Sequence, residues 1–418
     1  MLIHWIWLAH RPGVNDRMKV RLLQHFQDPE EIFYADSHAF DHIEGMTQEA
    51  KVSLLEKELI TAEKILMDCS REKLHILTYQ DAAYPVRLKN IPDPPVVLYY
   101  KGQLPELDAL PVIGVVGTRR ASAYGLQTAK RMGYQIGKCG GIVVSGMAYG
   151  IDGMAMAGAL TAGQPTVGVL GCGADIVYPL SNRALFRDVE QYGCIVSEFP
   201  PGTPPAKWTF PKRNRIISGL SCGVLVVEAP EKSGALITAG LAADQGRDVF
   251  AVPGNIDIPS FEGSNRLIRD GAIMVSSGWD VVGEYEGLFP DKVRRVETAA
   301  HQTAYPDELR RQEERPTLKV TQKAEVPEKK EPLKKEFKKK AVDKAGSSPY
   351  SDVNATLAGL SPEGKQIVSC LEDGARLVDD VIAETGLTTG KLLGLLTMLE
   401  LKGVIRRLPG KRIELKHK

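Results

Sequence analysis

The sequence predicts an α/β protein: a doubly wound, mostly parallel sheet, preceded by a small all-helical domain and followed by a winged helix. Three observations lead there. Between residues 111 and 285, short apolar runs alternate with helical windows across glycine-bearing turns. Before residue 80, apolar residues recur at spacings of three and four, and beyond residue 350 three helical windows precede two short β-rich runs. A chain of 418 residues exceeds one ordinary domain, so domains are expected at 1–80, 81–288 and 351–418, with a linker over 289–350.

In the first segment Leu22, Leu23 and Phe26, then Leu54, Leu55 and Leu59, then Ile65 and Leu66 mark amphipathic helices. Residues 84–105 are dense in proline and aromatics, as in an ordered connector laid onto the next domain. The strand candidates are Val112–Val116, Ile142–Ser145, Thr166–Leu170, Cys194–Ser197, Val224–Val227 and Val249–Val252. Helical windows fall at Leu126–Lys138, Met154–Ala162, Asn182–Gln191 and Leu236–Gln245. Strands apolar throughout are buried on both faces, which calls for parallel pairing under helices on each side. Residues 291–345 hold 16 Lys and Arg against 11 Asp and Glu, no glycine, and only Tyr305 and Phe337 as aromatics, the composition of a disordered linker. Helices then follow after Pro362, around Leu377–Thr385 and over Thr388–Lys402, with strands at Val404–Arg407 and Arg412–Leu415 around Pro409 and Gly410. Leu392, Leu395, Leu396 and Leu399 form an apolar stripe that reads as core and leaves this third helix only Lys391 and Lys402 as cations. A protein contact, or an auxiliary role through Arg406, Arg407, Lys411 and Arg412, are both open for this domain.

Charge and composition exclude several function classes. Fifty-three Lys and Arg against 52 Asp and Glu leave a net charge of +1, so any polyanion site must be a local concentration of cations. The six cysteines, at 69, 139, 172, 194, 222 and 370, form no CxxC pair and read as reduced core thiols of a cytoplasmic protein. Met1 to His10 is apolar but short and lacks a basic leader, and no other apolar run reaches about 18 residues, so no membrane partner is expected. His38 and His42 stand alone at an i, i+4 spacing and read as surface or core, so no metal is expected. There is no GxxxxGK[ST], GxSxG or HExxH motif. Asp175, Glu198 and Glu228 sit at strand ends as candidate acids or bases, and no nucleophile pairs with them in the sequence. No catalytic residue and no cofactor are expected.

The chemistry lies in the strand-end turns. In VIGVVGTRRASAYG, residues 112–125, a strand runs into Gly117, Thr118, Arg119 and Arg120 ahead of a helix. Free backbone N–H groups, a helix N-terminus and two arginines favour a phosphate there. A nicotinamide reading fails, because GxGxxG is absent and the second strand ends in Ser145 where an acidic residue is needed. SGMAYGID, with Ser145, Gly146 and Gly150, and GCGADIVYPLSN, residues 171–182, place further glycine turns on the same sheet edge. KWTFPKRNRIISG, residues 207–219, reads as a basic loop: Lys207, Lys212, Arg213 and Arg215 with Asn214, beside Trp208 and Phe210. Cations spaced with aromatics suit a phosphodiester backbone with stacked bases. SGALITAG, with Ser233, Gly234 and Thr238, opens a helix as a second anion cradle. VPGNIDIPSFEGSNRLIRDGA, residues 252–272 with Asn265, reads as a long functional loop.

Taken in order, GTRRASAYG, SGMAYGID, GVLGCGADIVYP, SEFPPG, FPKRNRIISGL, VVEAPEKSGALITAGLA and VFAVPG followed by EGSNRLIRDGA resemble the bacterial DNA-processing protein family called DprA or Smf, from Tyr84 to about Val282. The resemblance implies an extended Rossmann-like core, a SAM-like helical front and a winged helix. It also implies sequence-independent binding of single-stranded DNA, homodimerisation, loading of the RecA recombinase and a part in natural transformation, without catalysis. The implied DNA pocket comprises Gly117, Thr118, Arg119 and Arg120 with Lys207, Phe210, Lys212, Arg213, Asn214 and Arg215. Its rim would be Ser145, Gly146, Gly150, Ser233, Gly234, Thr238 and Asn265. Two alternatives stay open: a nucleotide-processing enzyme of the related phosphoribohydrolase type, whose PGGxGT pattern here reads PGNIDIPSFEG, and a winged-helix regulator reading duplex DNA.

Overall fold

The computed structural model describes residues 1–296 and, apart from a few turn and terminal positions, 362–415. The expected linker lies outside the described residues from 297 onward. The chain divides into two compact units, Met1–Lys319 and Val320–Lys418.

The first unit opens with helices α1 (Leu2–Ala9), α2 (Asp16–Phe26), α3 (Pro29–Tyr34), α4 (Gln48–Leu55) and α5 (Ile60–Glu72). Polar residues start three of them: Asn15, Asp28 and Thr47 accept from the backbone N–H of Met18, Glu30 and Ala50, groups that would otherwise lack partners. Their apolar faces meet around Trp7, Leu8, Leu22, Ile32, Phe40 and Leu54, all buried.

The sheet follows, with strands β1 (His75–Thr78), β2 (Val97–Gly102), β3 (Val112–Val116), β4 (Ile142–Ser145), β5 (Thr166–Val169), β6 (Cys194–Ser197), β7 (Gly223–Val226), β8 (Asp248–Ala251) and β9 (Ile273–Met274). Their spatial order is β1-β2-β6-β5-β4-β3-β7-β8-β9. Strands β3 to β9 pair in parallel, while β2 runs antiparallel to both β1 and β6. The sheet therefore begins at residue 75, ahead of the expected boundary at 81, and the connector supplies β2, which lies between the edge strand β1 and β6.

Helices cover both faces. On one, α7 (Ala123–Lys138), α8 (Ile151–Thr161) and α9 (Arg183–Tyr192) share a core with the five front helices. On the other lie α6 (Val86–Lys89), α10 (Thr209–Leu220) and α11 (Gly234–Asp244). Strand order reverses at β3, so α7 and α11 leave neighbouring strand ends on opposite faces and open a crevice above β3 and β7.

Two expected loops are helical. Residues 207–219 are mostly α10, with Pro211 in the first turn, where a missing N–H costs nothing. Ile216, Ile217 and Leu220 bury its apolar side under the sheet. Residues 252–272 include α12 (Glu262–Arg269), and α13 (Gly278–Val282) closes the unit on a capping box between Ser277 and Asp280.

The second unit contains α14 (Pro362–Cys370), α15 (Val378–Thr385) and α16 (Thr389–Leu401), with a three-stranded sheet of β10 (Arg376–Leu377), β11 (Ile405–Leu408) and β12 (Arg412–Leu415) in the order β10-β12-β11. This is the expected winged helix. Leu392, Leu396 and Leu399 are buried with Ile367, Val381, Ile405 and Ile413, so the leucine stripe of α16 is core. Lys391 pairs with Glu363 at 2.7 Å, and Arg406 pairs with Glu414. Lys402, Lys411 and the side chain of Arg407 lie outside the described residues.

Helices α7 and α8 cross backbone to backbone: a Cβ at Gly133 would run into the carbonyl of Ala155, and one at Gly158 into that of Lys130. Gly133→Ala is expected to cost about 1–3 kcal/mol. Urea unfolding checks this as a lower midpoint with an unchanged slope.

Candidate nucleic-acid interface

The carboxyl ends of the parallel strands carry every strand-end motif, and the start of α10 lies across them. Arg213 fixes that helix. Its guanidinium is buried, donating through Nη1 to the carbonyls of Gly146 at 2.9 Å and of Val169, and through Nε to Asn214 Oδ1 at 3.2 Å. Burial lowers its pKa to about 10, against the attraction of the buried Asp152. Asp152 itself is raised by burial, opposed by Arg213, and accepts from the Gly146 N–H at 3.1 Å.

A second network ties α10 to the helical front. Arg215 Nη2 meets Glu198 Oε2 at 2.7 Å and Asp16 Oδ2 at 2.9 Å, and its Nε lies 3.3 Å from Asp93. Lys212 Nζ reaches the same two oxygens, at 3.0 and 3.3 Å, and stands 5.6 Å from the Phe199 ring centre. Burial alone would depress Lys212 and Arg215; their acidic neighbours raise both.

The structure therefore divides the expected cations. Arg213 and Arg215 are buried and engaged by protein partners, and Lys212, though exposed, is doubly ion-paired, so the first two frame the site. Arg119, Arg120 and Lys207 are exposed and make no ion pair within the described residues. The Arg119 guanidinium lies 5.0 Å over the ring of Phe210, which stacks on Tyr178 at 5.7 Å.

The helix-terminus expectation for GTRR needs correction. Glu228, buried at the end of β7, accepts from Ser122 N at 3.1 Å and Ser122 Oγ at 2.8 Å. Its carboxylate thus occupies the positive end of α7, where a phosphate was expected. Thr118 N donates to the Glu228 carbonyl at 2.8 Å, and Gly117 packs against Ile151. Gly150 has φ +78°, and a Cβ there would strike the Thr118 carbonyl, so only glycine lets the two turns meet.

The rim residues are largely structural. Ser145 Oγ donates to the Val115 carbonyl at 2.6 Å, Thr238 Oγ1 to that of Gly234 at 3.4 Å, and Ser233 accepts from Ala235 N at 3.3 Å. Asn265 clasps Gly254 through both its N–H and its carbonyl, at 3.0 and 3.1 Å. Asn214 donates to the Gly234 carbonyl at 3.5 Å, and Gly234 is exposed. Asp175, the third strand-end carboxylate, accepts from Gly202 N. Exposed Tyr124, Tyr149 and Tyr178 were not singled out in the sequence; each lies inside a strand-end motif, and that placement was the available signal. Among the described residues no group of three His, Cys, Asp or Glu is placed to hold a metal, and no helix is long and apolar enough to cross a membrane.

A family model described as DNA recombination-mediator protein A matches residues 75–286, and one described as the DprA winged helix domain matches 352–411. Protein Smf of Synechocystis sp. is 32% identical over 418 residues, 98% of either chain. The DNA processing protein DprA of Bacillus subtilis is 43% identical over 221 residues, 53% of this chain and 74% of its own. The X-ray structure of DNA processing protein A from Streptococcus pneumoniae matches with a TM-score of 0.61 at 33% identity, over 68% of this chain and 98% of that one.

His10 gives the site's framework a pH dependence. Burial, helped by Lys19 and Lys212, lowers its pKa to about 4, so it is neutral in the fold. In the unfolded chain it takes up a proton below about pH 6.5. Stability from this group is thus full above 6.5 and is lost as pH falls toward 4, by up to about 3 kcal/mol. Urea midpoints across that range should show the decline, and His10→Gln should flatten it.

Proposed function

The chain belongs to the DNA recombination-mediator protein A family, whose members are DNA-processing proteins, and from that premise we propose that it binds single-stranded DNA without reading sequence. One observation carries this: Arg119, Arg120 and Lys207 are exposed and make no ion pair among the described residues, and Arg119 lies over Phe210, which stacks on Tyr178. Cations neutralise phosphates and release counterions, while ring faces accept any base. In this reading the protein acts as a homodimer that loads RecA onto the bound strand and supports transformation. In this reading the role is non-catalytic, and the strand-end acids Asp175, Glu198 and Glu228 serve structure, held by Gly202, by Arg215 and Lys212, and by Ser122.

Arg119→Glu and Lys207→Glu should each weaken oligonucleotide binding at least tenfold, about 1.4 kcal/mol. In the unaltered protein, log affinity should fall against log salt with a slope of about −0.7 per phosphate contacted. Fluorescence anisotropy with a labelled oligonucleotide measures both. Unchanged affinity in the two variants would refute this site.

A further inference from the structure

Beside the start of α10, between the helical front and the strand-end loops, lies a cavity of about 190 Å³. Phe199 and Trp208 form its aromatic wall, with ring centres 5.7 Å apart, edge to face. His10, Asp16, Lys19, Glu198 and Lys212 supply its polar wall. Trp208 is 63% exposed, a large apolar surface left in water. Glu198 is buried, and only its Oε2 is engaged, by Arg215 and Lys212; its Oε1 has no hydrogen-bond partner.

Position links this cavity to the exposed cations. Trp208 and Lys212 stand four residues apart at the start of α10 and share one flank of the helix. Phe210, between them in sequence, turns to Arg119 and Tyr178. One helical turn therefore separates the ring beneath Arg119 from a pocket with a flat apolar wall and the Lys212 ammonium.

We propose that this cavity receives a nucleobase, an inference that rests on the DNA-binding reading above. A base would lie against Trp208 and accept at a carbonyl or ring nitrogen from the Lys212 ammonium, which lines the same cavity. A bare phosphate does not suit the cavity, because Lys19 and Lys212 are already paired with Asp16 and Glu198. A wholly apolar ligand would strand the buried charges. The base comes either from the bound strand or from a free nucleoside.

Two variants test this on the full chain, each checked for an unchanged thermal melt. Ala9→Phe fills the cavity from the end of α1, and Trp208→Ala removes the stacking wall from an exposed position. Both should bind an intact oligonucleotide about tenfold more weakly, with the unaltered protein's salt slope, and should lose less than it does when the strand carries abasic sites. That pattern assigns a strand base to the cavity. Calorimetric heat with deoxyguanosine that Ala9→Phe abolishes, without loss of strand affinity, assigns a free base. Strand affinity and nucleoside heat both unchanged in the two variants would overturn the proposal. A flat salt dependence in the unaltered protein would instead remove the DNA-binding reading beneath it.

Discussion

The guanidinium of Arg213 sits where the ends of β4 and β5 meet the first turn of α10, and its bonds to the Gly146 and Val169 carbonyls fasten the three together. A charge so deeply placed persists because Asp152 opposes it and backbone carbonyls take its N–H groups. Everything exposed on this edge depends on that fastening. The angle at which α10 leaves the sheet decides that Phe210 meets Arg119, that Trp208 reaches water, and that Lys212 turns toward the helical front.

Electrostatics then separates two kinds of cation that a linear sequence places side by side. Lys212 and Arg215 are neutralised by Asp16 and Glu198, so they join the helical front to the sheet. Arg119, Arg120 and Lys207 keep their charge for solvent or a ligand. Glu228 completes the arrangement by capping α7, which withdraws the usual Rossmann phosphate position and leaves anion binding to side chains. With a net charge of +1 spread over 418 residues, this local division makes a polyanion site possible.

The parallel core was legible because strands buried on both faces are apolar without interruption. The candidates at 112–116, 142–145 and 194–197 coincide with β3, β4 and β6, and the other three miss by a residue at one or both ends. Strand β2 was hidden by the prolines before it, and α10 by Phe-Pro-Lys-Arg-Asn-Arg, a composition of loops whose helical period shows only from Ile216 onward. The leucines of α16 were read correctly as core, since their spacing alone marks one buried face. Which arginines are free could not be read at all. Arg215 is spent on Asp16, 199 positions away, and Arg213 on carbonyls that every residue carries. Tertiary partners of that sort leave no mark on the local sequence.

The salt dependence of strand binding by the double variant Arg213→Met, Asp152→Asn, set beside Arg119→Ala, tests the central claim most directly. If Arg213 orients α10 without touching phosphate, the double variant binds more weakly at every salt concentration with an unchanged log-log slope, while Arg119→Ala lowers the slope by about 0.7. A slope lowered equally by the double variant would put the Arg213 charge on the strand itself and contradict the account.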